Sequence, residues 1–301
     1  MLGFVIDVLI QGLLYGIMSM GVMLSYKILD IPDLSVDGTY PLGVAISAIL
    51  IINGVNPWVA LLASMAGGFL AGIVTGVFHV KFGISALLSG ILVMTGLYSI
   101  NMMVAGGKSN LPLFKYDNIF STTWLEKMGA PSFIIDNFQL IVMIILVVLI
   151  KIMIDTLLTT RVGYLLKVTG DNEGLVTSLG HNVGTVKILG LALANSIVAL
   201  SGGVAASVGR YFDVSLGTGM VVLGLSSVIL GTTLFGKLKF KQTTKVILGA
   251  IVYRFIIAIA LRFNMDPQHL KLATVVIFVG AILLNQSKIS KYLGKGSEVN
   301  A

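Results

Sequence analysis

The chain has 301 residues and a net charge of +7, and its composition is 56% apolar but only 11% charged. A soluble domain has about a quarter charged residues, so most of these side chains are not suited to water, and the long apolar runs favour helices over the alternating strands of a membrane barrel. The absence of cysteine excludes disulfides, iron–sulfur clusters and thiol catalysis. The basic residues cluster in short loops at one side of the predicted helices, which fits the positive-inside rule and argues against nucleic-acid binding.

Nine apolar segments predict an all-α fold, a polytopic transmembrane helix bundle of about eight or nine transmembrane segments forming a single domain over residues 1–301. The second segment is short and carries Pro41 near its start, so we expect one broken or short helix there, either a half-helix or a re-entrant piece packed inside the protein. The segments are 3–26, 38–52, 57–79, 84–105, 133–155, 186–209, 216–236, 245–262 and 267–286.

The basic residues predict which side of the membrane each polar stretch occupies. Thirteen lysines and arginines fall on the side of the loop 156–186, six fall on the side of the loop 106–132, and Arg254 lies inside a helix. The positive-inside rule therefore predicts that 156–186 and the tail 287–301 are cytoplasmic and that 106–132 is an extracytoplasmic loop. The N-terminus is then outside and the C-terminus inside.

Two similar strings follow the first and the sixth segments. Asp33–Thr39 reads DLSVDGT, and Asp213–Gly219 reads DVSLGTG. Because the first helix is predicted to run inward and the sixth outward, the strings would be related by an inverted repeat, an arrangement that many transporters use. Short strings rich in glycine and serine also match by chance, so both explanations are open.

The acidic cluster of Asp30, Asp33 and Asp37 supports two compatible interpretations. Asp33, Ser35 and Asp37 can cap the start of the second segment, because their oxygens accept hydrogen bonds from the free N–H groups of a helix N-terminus. A broken helix can also place such groups along a solute path. The candidate path residues are Asp33, Ser35, Asp37, Thr39, Asp213, Ser215 and Arg254.

Arg254 is the one basic residue predicted deep inside a spanning segment. It stands about nine residues into the eighth segment, near the bilayer midplane, where an ionised side chain is costly unless it faces the bundle interior or water. We expect it to pair with Asp37 or Asp33, and a substrate carboxylate is an alternative partner. The side chain can instead extend towards a polar interface.

Signatures of catalysis are missing from the sequence. Gly231–Lys237 matches the first seven positions of a phosphate-binding loop, but Leu238 replaces the hydroxyl residue that must hold Mg²⁺. His79, His181 and His269 are far apart and form no metal-binding pair. We therefore predict a chain that is not an enzyme, needs no cofactor or metal, and depends on a partner for any energy drawn from ATP.

Several short motifs stand in both halves of the chain. They are Gln11–Gly16, Met20–Gly21, Asp33–Gly38, Pro41–Gly43, Arg161–Tyr164, Lys167–Gly174, Ser178–Asn182, Val186–Gly190 and Ala199–Gly203. Together they cover nearly the whole chain and resemble one transporter family, the permeases of ABC importers of the branched-chain amino acid, ribose and nucleoside type.

Asp33–Gly38 followed by Pro41–Gly43 is most similar to a subgroup thought to import amino acids such as tyrosine or tryptophan. Branched-chain members carry an Asn-Ala-His type sequence there, which argues against a branched-chain solute.

The resemblance implies partners as well as a permease domain spanning residues 1–301. These are a second permease copy in a homodimer, cytoplasmic ABC ATPase subunits and an extracytoplasmic solute-binding protein, assembled on the bacterial cytoplasmic (inner) membrane. The small-residue ridge of Gly68, Gly72 and Gly76 suits a dimer contact or packing within one chain equally well. The resemblance assigns coupling to the ATPase to Gly170, Asp171, Asn172, Glu173, Leu179, Gly180, His181 and Asn182.

The expected function is import of a small polar solute, an amino acid, driven by the partner ATPase subunits. The main alternative is an ion-coupled secondary transporter, which would share the helix bundle and the inverted repeat but would need no ATPase. A membrane enzyme is the third candidate, and it would require a cluster of acid–base or metal-binding residues that the sequence does not show.

Overall fold

The computed structural model describes residues 2–122, 126, 129, 131–262 and five separate positions, 272, 275, 276, 279 and 280. The predicted tail 287–301 and most of the ninth predicted segment, 267–286, lie outside the described residues. The described part is almost entirely helical, with two short strands.

The helices and strands follow one another along the chain in this order. They are α1 (Leu2–Met23) continued by a π-helical turn (Leu24–Ile28), α2 (Val36–Ile52), α3 (Pro57–Val80), α4 (Ala86–Val104), β1 (Asn110–Pro112), α5 (Ser132–Asp136), α6 (Phe138–Leu157), α7 (Arg161–Asp171), α8 (Glu173–Ser178), α9 (Val183–Gly209), β2 (Tyr211–Asp213), a 3-10 turn (Val214–Gly217), α10 (Met220–Leu234) and α11 (Gln242–Arg262).

Among the described residues, seven helical stretches are long and apolar enough to cross a membrane. With α2, an apolar helix of 17 residues, they confirm the predicted all-α, polytopic transmembrane bundle. The seven stretches are Gly3–Ile28, Pro57–Val80, Ala86–Val104, Phe138–Leu157, Val183–Gly209, Val214–Leu234 and Gln242–Arg262.

When α2 is counted with the seven spans, successive helices of the bundle run in opposite directions, so the bundle has two ends. We call the end that carries α7 and α8 the short-helix end. The other is the strand end, where β1 and β2 pair antiparallel with Asn110 opposite Asp213. Residues that lead into or belong to α2 contact α9 in the same order along both helices, Ser35 with Asn195 and Tyr40 with Gly202, so α2 runs parallel to α9 towards the strand end.

Helix α2 lies in the centre of the bundle, packed against α9, α3 and α4. Twelve of its 17 residues are buried. The linker 29–35 brings the chain back from the end of α1, with the N–H of Ile31 donating to the carbonyl of Ser25 at 2.9 Å, so that α2 begins inside the bundle rather than at its surface. The expectation of a short helix packed inside the protein is therefore correct.

The glycine ridge of α3 packs against α9 of the same chain. A Cβ added at Gly72 would lie 2.6 Å from the Cα of Ala192, and one added at Gly76 would lie 2.7 Å from the Cα of Ile188. Real Cβ atoms essentially never come this close, so only glycine permits the two helix backbones to approach this far. Of the two interpretations of the ridge, the structure supports packing within one chain.

The two similar strings adopt the same local structure. The N–H of Ser35 donates to Oδ1 of Asp33 at 2.8 Å, and the N–H of Ser215 donates to Oδ1 of Asp213 at 2.8 Å. Each turn leads into a helix that starts within the bundle, and α2 runs to the strand end whereas α10 runs to the short-helix end. The geometry agrees with the inverted-repeat interpretation.

Candidate functional site

Asp33 lies in a closed hydrogen-bond network between the start of α2 and the middle of α9. Its Oδ2 accepts from Nδ2 of Asn195 at 2.6 Å, and its Oδ1 accepts from the N–H of Ser35. The hydroxyl of Ser35 donates to Oδ1 of Asn195 at 3.1 Å, and the hydroxyl of Thr39 donates to the carbonyl of Ser35 at 3.0 Å. Asp33, Ser35 and Thr39 are all buried, so this part of the acidic cluster anchors the start of α2.

Asp37 caps a different helix from the one that its sequence position indicates. Its Oδ2 accepts from the N–H of Gly219 at 3.0 Å, and its Oδ1 accepts from the N–H of Val221 at 2.8 Å. These N–H groups belong to the N-terminus of α10, where a carboxylate is favoured by hydrogen bonding and by the helix dipole. The half-buried Asp37 therefore joins the two similar strings directly, and the prediction that it caps the second segment is wrong.

A cavity of about 470 Å³ with several polar residues in its wall opens beside Asp37. It lies between the start of α2, one face of α4 and the turn before α10, and its volume is within the range of about 300–1,000 Å³ usual for small-molecule sites. Of the seven predicted path residues, Asp37 and Ser215 line it. The other lining residues are Gly38, Pro41, Met94, Thr95, Tyr98, Asn101, Val214 and Thr218.

Sequence reasoning missed the contribution of α4 to this cavity. Thr95, Tyr98 and Asn101 recur at intervals of three residues, a spacing that places them near one face of a helix. Such a polar row in an otherwise apolar spanning segment is a signal that could have identified them. Thr218 carried no comparable signal, because its position follows from the fold of the turn before α10.

Asp213 lies at the strand end and does not line the cavity. The side chain and the N–H of Ser215 donate to Oδ1 of Asp213, and Nδ2 of Asn110 donates to its Oδ2 at 3.3 Å. The hydrogen bonds from Ser215, and after them the one from Asn110, hold the pKa of Asp213 below its usual value. This residue fixes the turn that leads from β2 towards α10.

Arg254 is not brought together with Asp33 or Asp37, so the predicted ion pair is wrong. Its guanidinium carbon lies 5.3 Å from the centre of the Tyr15 ring on α1. The two carboxylates take their hydrogen bonds from backbone N–H groups and from Asn195, which supply the donors that the sequence suggested Arg254 would provide. Arg254 lines a separate cavity of about 140 Å³ between α1 and α11.

The loop between α6 and α9 folds into two short helices that project an exposed surface. Asn172 ends α7 in an extended conformation, and its side chain accepts from the N–H of Leu175 to start α8. Gly180 follows α8 with a φ of +77°, a conformation that glycine adopts at no steric cost. Asp171, Asn172, Glu173, Leu179, Gly180, His181 and Asn182 are exposed, and Gly170 is partly buried.

This loop is anchored to the membrane-spanning helices at three places. Val176 is fully buried in an apolar cluster with Leu29, Ile31 and Leu166. The side chain of Lys187 on α9 forms an ion pair with Glu173 at 2.6 Å. In addition, Gly170 lies against the carbonyl of Ile28, the last residue of the π-helical turn. Asn182, the last of the predicted coupling residues, accepts from the N–H of Thr185 at 3.1 Å and caps α9.

The partial phosphate-binding string lies mostly within a helix. Gly231–Leu234 form the last turn of α10, where Gly231 packs against the backbone of Lys245 on α11. A phosphate-binding loop requires free backbone N–H groups between a strand and a helix. Gly231 instead packs the end of α10 against α11.

Comparison with known proteins relates this chain to permease subunits of transport systems. The family model for the permease component of branched-chain amino acid transport systems matches residues 4–286. The chain is 42% identical over 287 residues to the tyrosine transport system permease protein of Clostridioides difficile (strain R20291), covering 95% of this chain and 92% of that one. It is 24% identical over 286 residues to the ribose import permease protein of Escherichia coli (strain K12), covering 94% and 85%. The alignment with the solved structure of PsaBC from Streptococcus pneumoniae in complex with Fab covers 85% of this chain and 95% of that chain at 14% identity, with a TM-score of 0.36.

Proposed function

The chain belongs to the family of permease components of branched-chain amino acid transport systems, a family of multi-pass membrane proteins, and from this we propose that it is the membrane-spanning subunit of an ABC-type importer. Its cargo is a small polar solute, an amino acid, and it works in the bacterial cytoplasmic membrane. The name of the Clostridioides relative, which refers to tyrosine, supports an amino acid, and the 42% identity covers almost the whole of both chains.

The observation that carries this proposal is the continuity between the exposed loop and the cavity beside Asp37. Gly170 contacts Ile28, and Leu166 and Val176 pack on Leu29 and Ile31. These last residues belong to the linker that leads to Asp33 and the start of α2. A displacement of α7 and α8 would therefore move the segment that places Asp37 beside the cavity, which is the requirement for coupling a distant event to a solute path.

The ATPase subunits dock on the exposed surface of this loop. Leu179 is 60% exposed and Leu175 is 48% exposed, although both are apolar. An ATPase cleft would cover these side chains, and the predicted coupling residues 170–173 and 179–182 surround them. The short-helix end then faces the cytoplasm and the strand end faces outward, where the solute-binding protein delivers its cargo, as the positive-inside rule indicates. The N-terminus is outside in this orientation, and the tail 287–301 is predicted to be inside.

The position of the cavity supports a second permease copy. The cavity is bordered by α4, in which only 28% of an 18-residue apolar stretch is buried. Asp37 lines the same cavity. A carboxylate and several hydroxyl groups that open towards lipid would be costly. A homodimer that covers this face places the polar path between the two copies and away from the hydrocarbon.

Co-purification tests the importer proposal. The tagged chain is purified from its native membranes in mild detergent, and its partners are identified by mass spectrometry. We expect a stoichiometric ABC ATPase with the natural chain and with Leu238→Asp, a control that places the same substitution at another exposed leucine of the short-helix end. Leu179→Asp and Gly180→Pro should lose it, because the first charges the docking surface and the second cannot adopt the positive φ.

The alternative function predicts the opposite pattern. A secondary transporter would purify without any ATPase, and reconstituted vesicles would accumulate solute when an ion gradient is applied. Retention of the ATPase by Leu179→Asp and Gly180→Pro would leave the importer in place but remove the loop 170–182 as its docking site.

A further inference from the structure

We propose that the cavity beside Asp37 is a binding site for the ammonium group of the solute, with Asp37 and Asn101 as its acceptors and Tyr98 beside the solute's side chain. This inference rests on the proposed transport function and adds the chemical class that the path selects. Its basis is the balance between hydrogen-bond donors and acceptors along the wall of the cavity.

The carboxylate of Asp37 retains capacity for a further donor. It accepts from the N–H groups of Gly219 and Val221, one at each carboxylate oxygen. An ionised carboxylate has about four acceptor sites. A cation that approaches from the cavity can therefore bind Asp37 without displacing the cap of α10.

Asn101 supplies a second acceptor that lacks a partner. Its Nδ2 donates to the carbonyl of Gly38 at 3.0 Å, which fixes the orientation of the amide. Its Oδ1 has no hydrogen-bond partner among the described residues, although the residue is fully buried. An unsatisfied buried acceptor costs free energy, and a donor on a solute in the cavity that Asn101 lines would recover it.

Pro41 leaves the carbonyl of Asp37 without its helical hydrogen bond. Proline has no N–H group, so it cannot donate to the carbonyl four residues earlier. That carbonyl lies against Gly217 in the turn before α10, where there is no room for a Cβ, so it is not counted among the acceptors of the cavity.

The donors on the cavity wall are mostly used within the protein. The hydroxyl of Thr95 donates to the carbonyl of Ile91 at 2.8 Å, and the hydroxyl of Ser215 donates to Asp213. The lining residues include no lysine, arginine or histidine. An acceptor-rich wall without a cation favours a group that carries several donors and a positive charge, which a primary ammonium does, and it disfavours phosphorylated and other anionic solutes.

The remaining wall suits an apolar or aromatic side chain. Tyr98 is 55% exposed, and it lies next to Met94 and between Thr95 and Asn101 along the cavity face of α4. Its ring can stack with an aromatic group or lie against the cation, while methionine adapts to irregular shapes. The site thus fits an α-amino acid with an aromatic or large apolar side chain.

Binding of three probes to the permease–ATPase complex, purified without the solute-binding protein, tests this site. L-Tyrosine carries ammonium and carboxylate groups, tyramine keeps the ammonium alone, and 3-(4-hydroxyphenyl)propionate keeps the carboxylate alone. We expect L-tyrosine and tyramine to bind and to compete with each other, and the propionate to bind at least tenfold more weakly. Binding of the propionate in preference to tyramine would overturn the proposal.

Variants locate the site. Asn101→Leu and Asp37→Asn should weaken L-tyrosine and tyramine about ten- to a hundredfold, because each loses an acceptor for a charged donor. Asn53→Leu, the same asparagine substitution at an exposed position outside the cavity, should bind as the natural chain does. Tyr98→Leu changes an exposed side chain and should weaken L-tyrosine severalfold even if the buried variants fail to fold.

The outcomes separate this proposal from the importer proposal. If the ATPase co-purifies and none of the three probes binds, or if Asn101→Leu and Tyr98→Leu bind L-tyrosine unchanged, the ammonium site is wrong and the importer stands. If no ATPase co-purifies, the importer proposal fails whichever probe binds.

Discussion

At the residue scale, the main feature is that the carboxylates of Asp33 and Asp37 are satisfied by amide groups rather than by basic side chains. Asp33 takes its donors from Ser35 and Asn195, and Asp37 takes its donors from the N-terminus of α10. Desolvation makes a buried ion pair expensive, whereas helix N–H groups are already fixed in place and need no further ordering. Asp33 therefore holds the start of α2 against α9. Asp37 both caps α10 and lines the cavity.

Replacement of Asn195 tests whether its hydrogen bond to Asp33 anchors the start of α2. Asn195→Leu would keep the volume of the side chain but leave Oδ2 of Asp33 buried without its donor at 2.6 Å. We expect a loss of about 3–5 kcal/mol in the free energy of unfolding, or failure to accumulate folded protein. Thermal unfolding in detergent measures it, with Asn53→Leu as the exposed control. An unchanged melting temperature would show that the network does not anchor α2.

At the element scale, the close approach of α3 and α9 explains the glycine ridge. The starts of α2 and α10 inside the bundle explain the two similar strings, Asp33–Thr39 and Asp213–Gly219. Gly72 and Gly76 let α9 lie directly on α3, and α2 fills the space beside them. The two Asp-x-Ser turns each begin a helix inside the bundle, and Asp37 binds one of these starts to the other. A helix that begins within the bundle leaves N–H groups that need partners, which is why polar residues collect there.

Two glycine substitutions distinguish close packing from open space. Gly72→Ala places a Cβ 2.6 Å from the Cα of Ala192 and should cost about 1–3 kcal/mol of stability, because the helices must separate. Gly96→Ala is the matched control on α4, where an added Cβ meets nothing within 4 Å, and it should be neutral or slightly stabilising. Melting temperatures of the two purified variants provide the comparison. Equal values would contradict the packing of α3 on α9.

At the scale of the whole molecule, the exposed short helices, the linker 29–35 and the cavity form one continuous series of contacts. Apolar packing joins the loop to the linker, a hydrogen bond joins Asp33 of the linker to α9, and hydrogen bonds join Asp37 at the start of α2 to α10. This series gives the proposed importer a physical route from ATPase docking to the solute path. Among the described residues, only 28% of the apolar stretch of α4, which borders the cavity, is buried.

Cross-linking tests whether a second copy covers that face. The chain contains no cysteine, so single substitutions are unambiguous. We expect Tyr98→Cys, on the cavity face of α4, to give a dimer in membranes with a short bifunctional thiol reagent. Leu149→Cys, on α6 and 60% exposed, should give none. Dimers from Leu149→Cys and not from Tyr98→Cys would move the interface away from the cavity.

The sequence by itself determined the class of fold, the first eight apolar segments and the family. Each of these depends on local features, namely the length and apolarity of segments and the order of motifs along the chain. The short second segment was also visible, because Pro41 and the length of the apolar run mark it locally.

Only the tertiary structure decided which polar groups meet. Asp37 and Val221 are 184 residues apart in the chain, and Asp33 and Asn195 are 162 apart, yet each pair is in hydrogen-bond contact. Arg254 is separated from both carboxylates for the same reason: its position along a helix indicates its depth, but the packing of α11 on α1 determines its neighbour, Tyr15. Hydrogen bonds depend on distances of a few ångströms between atoms, and these are fixed by the packing of all the helices together.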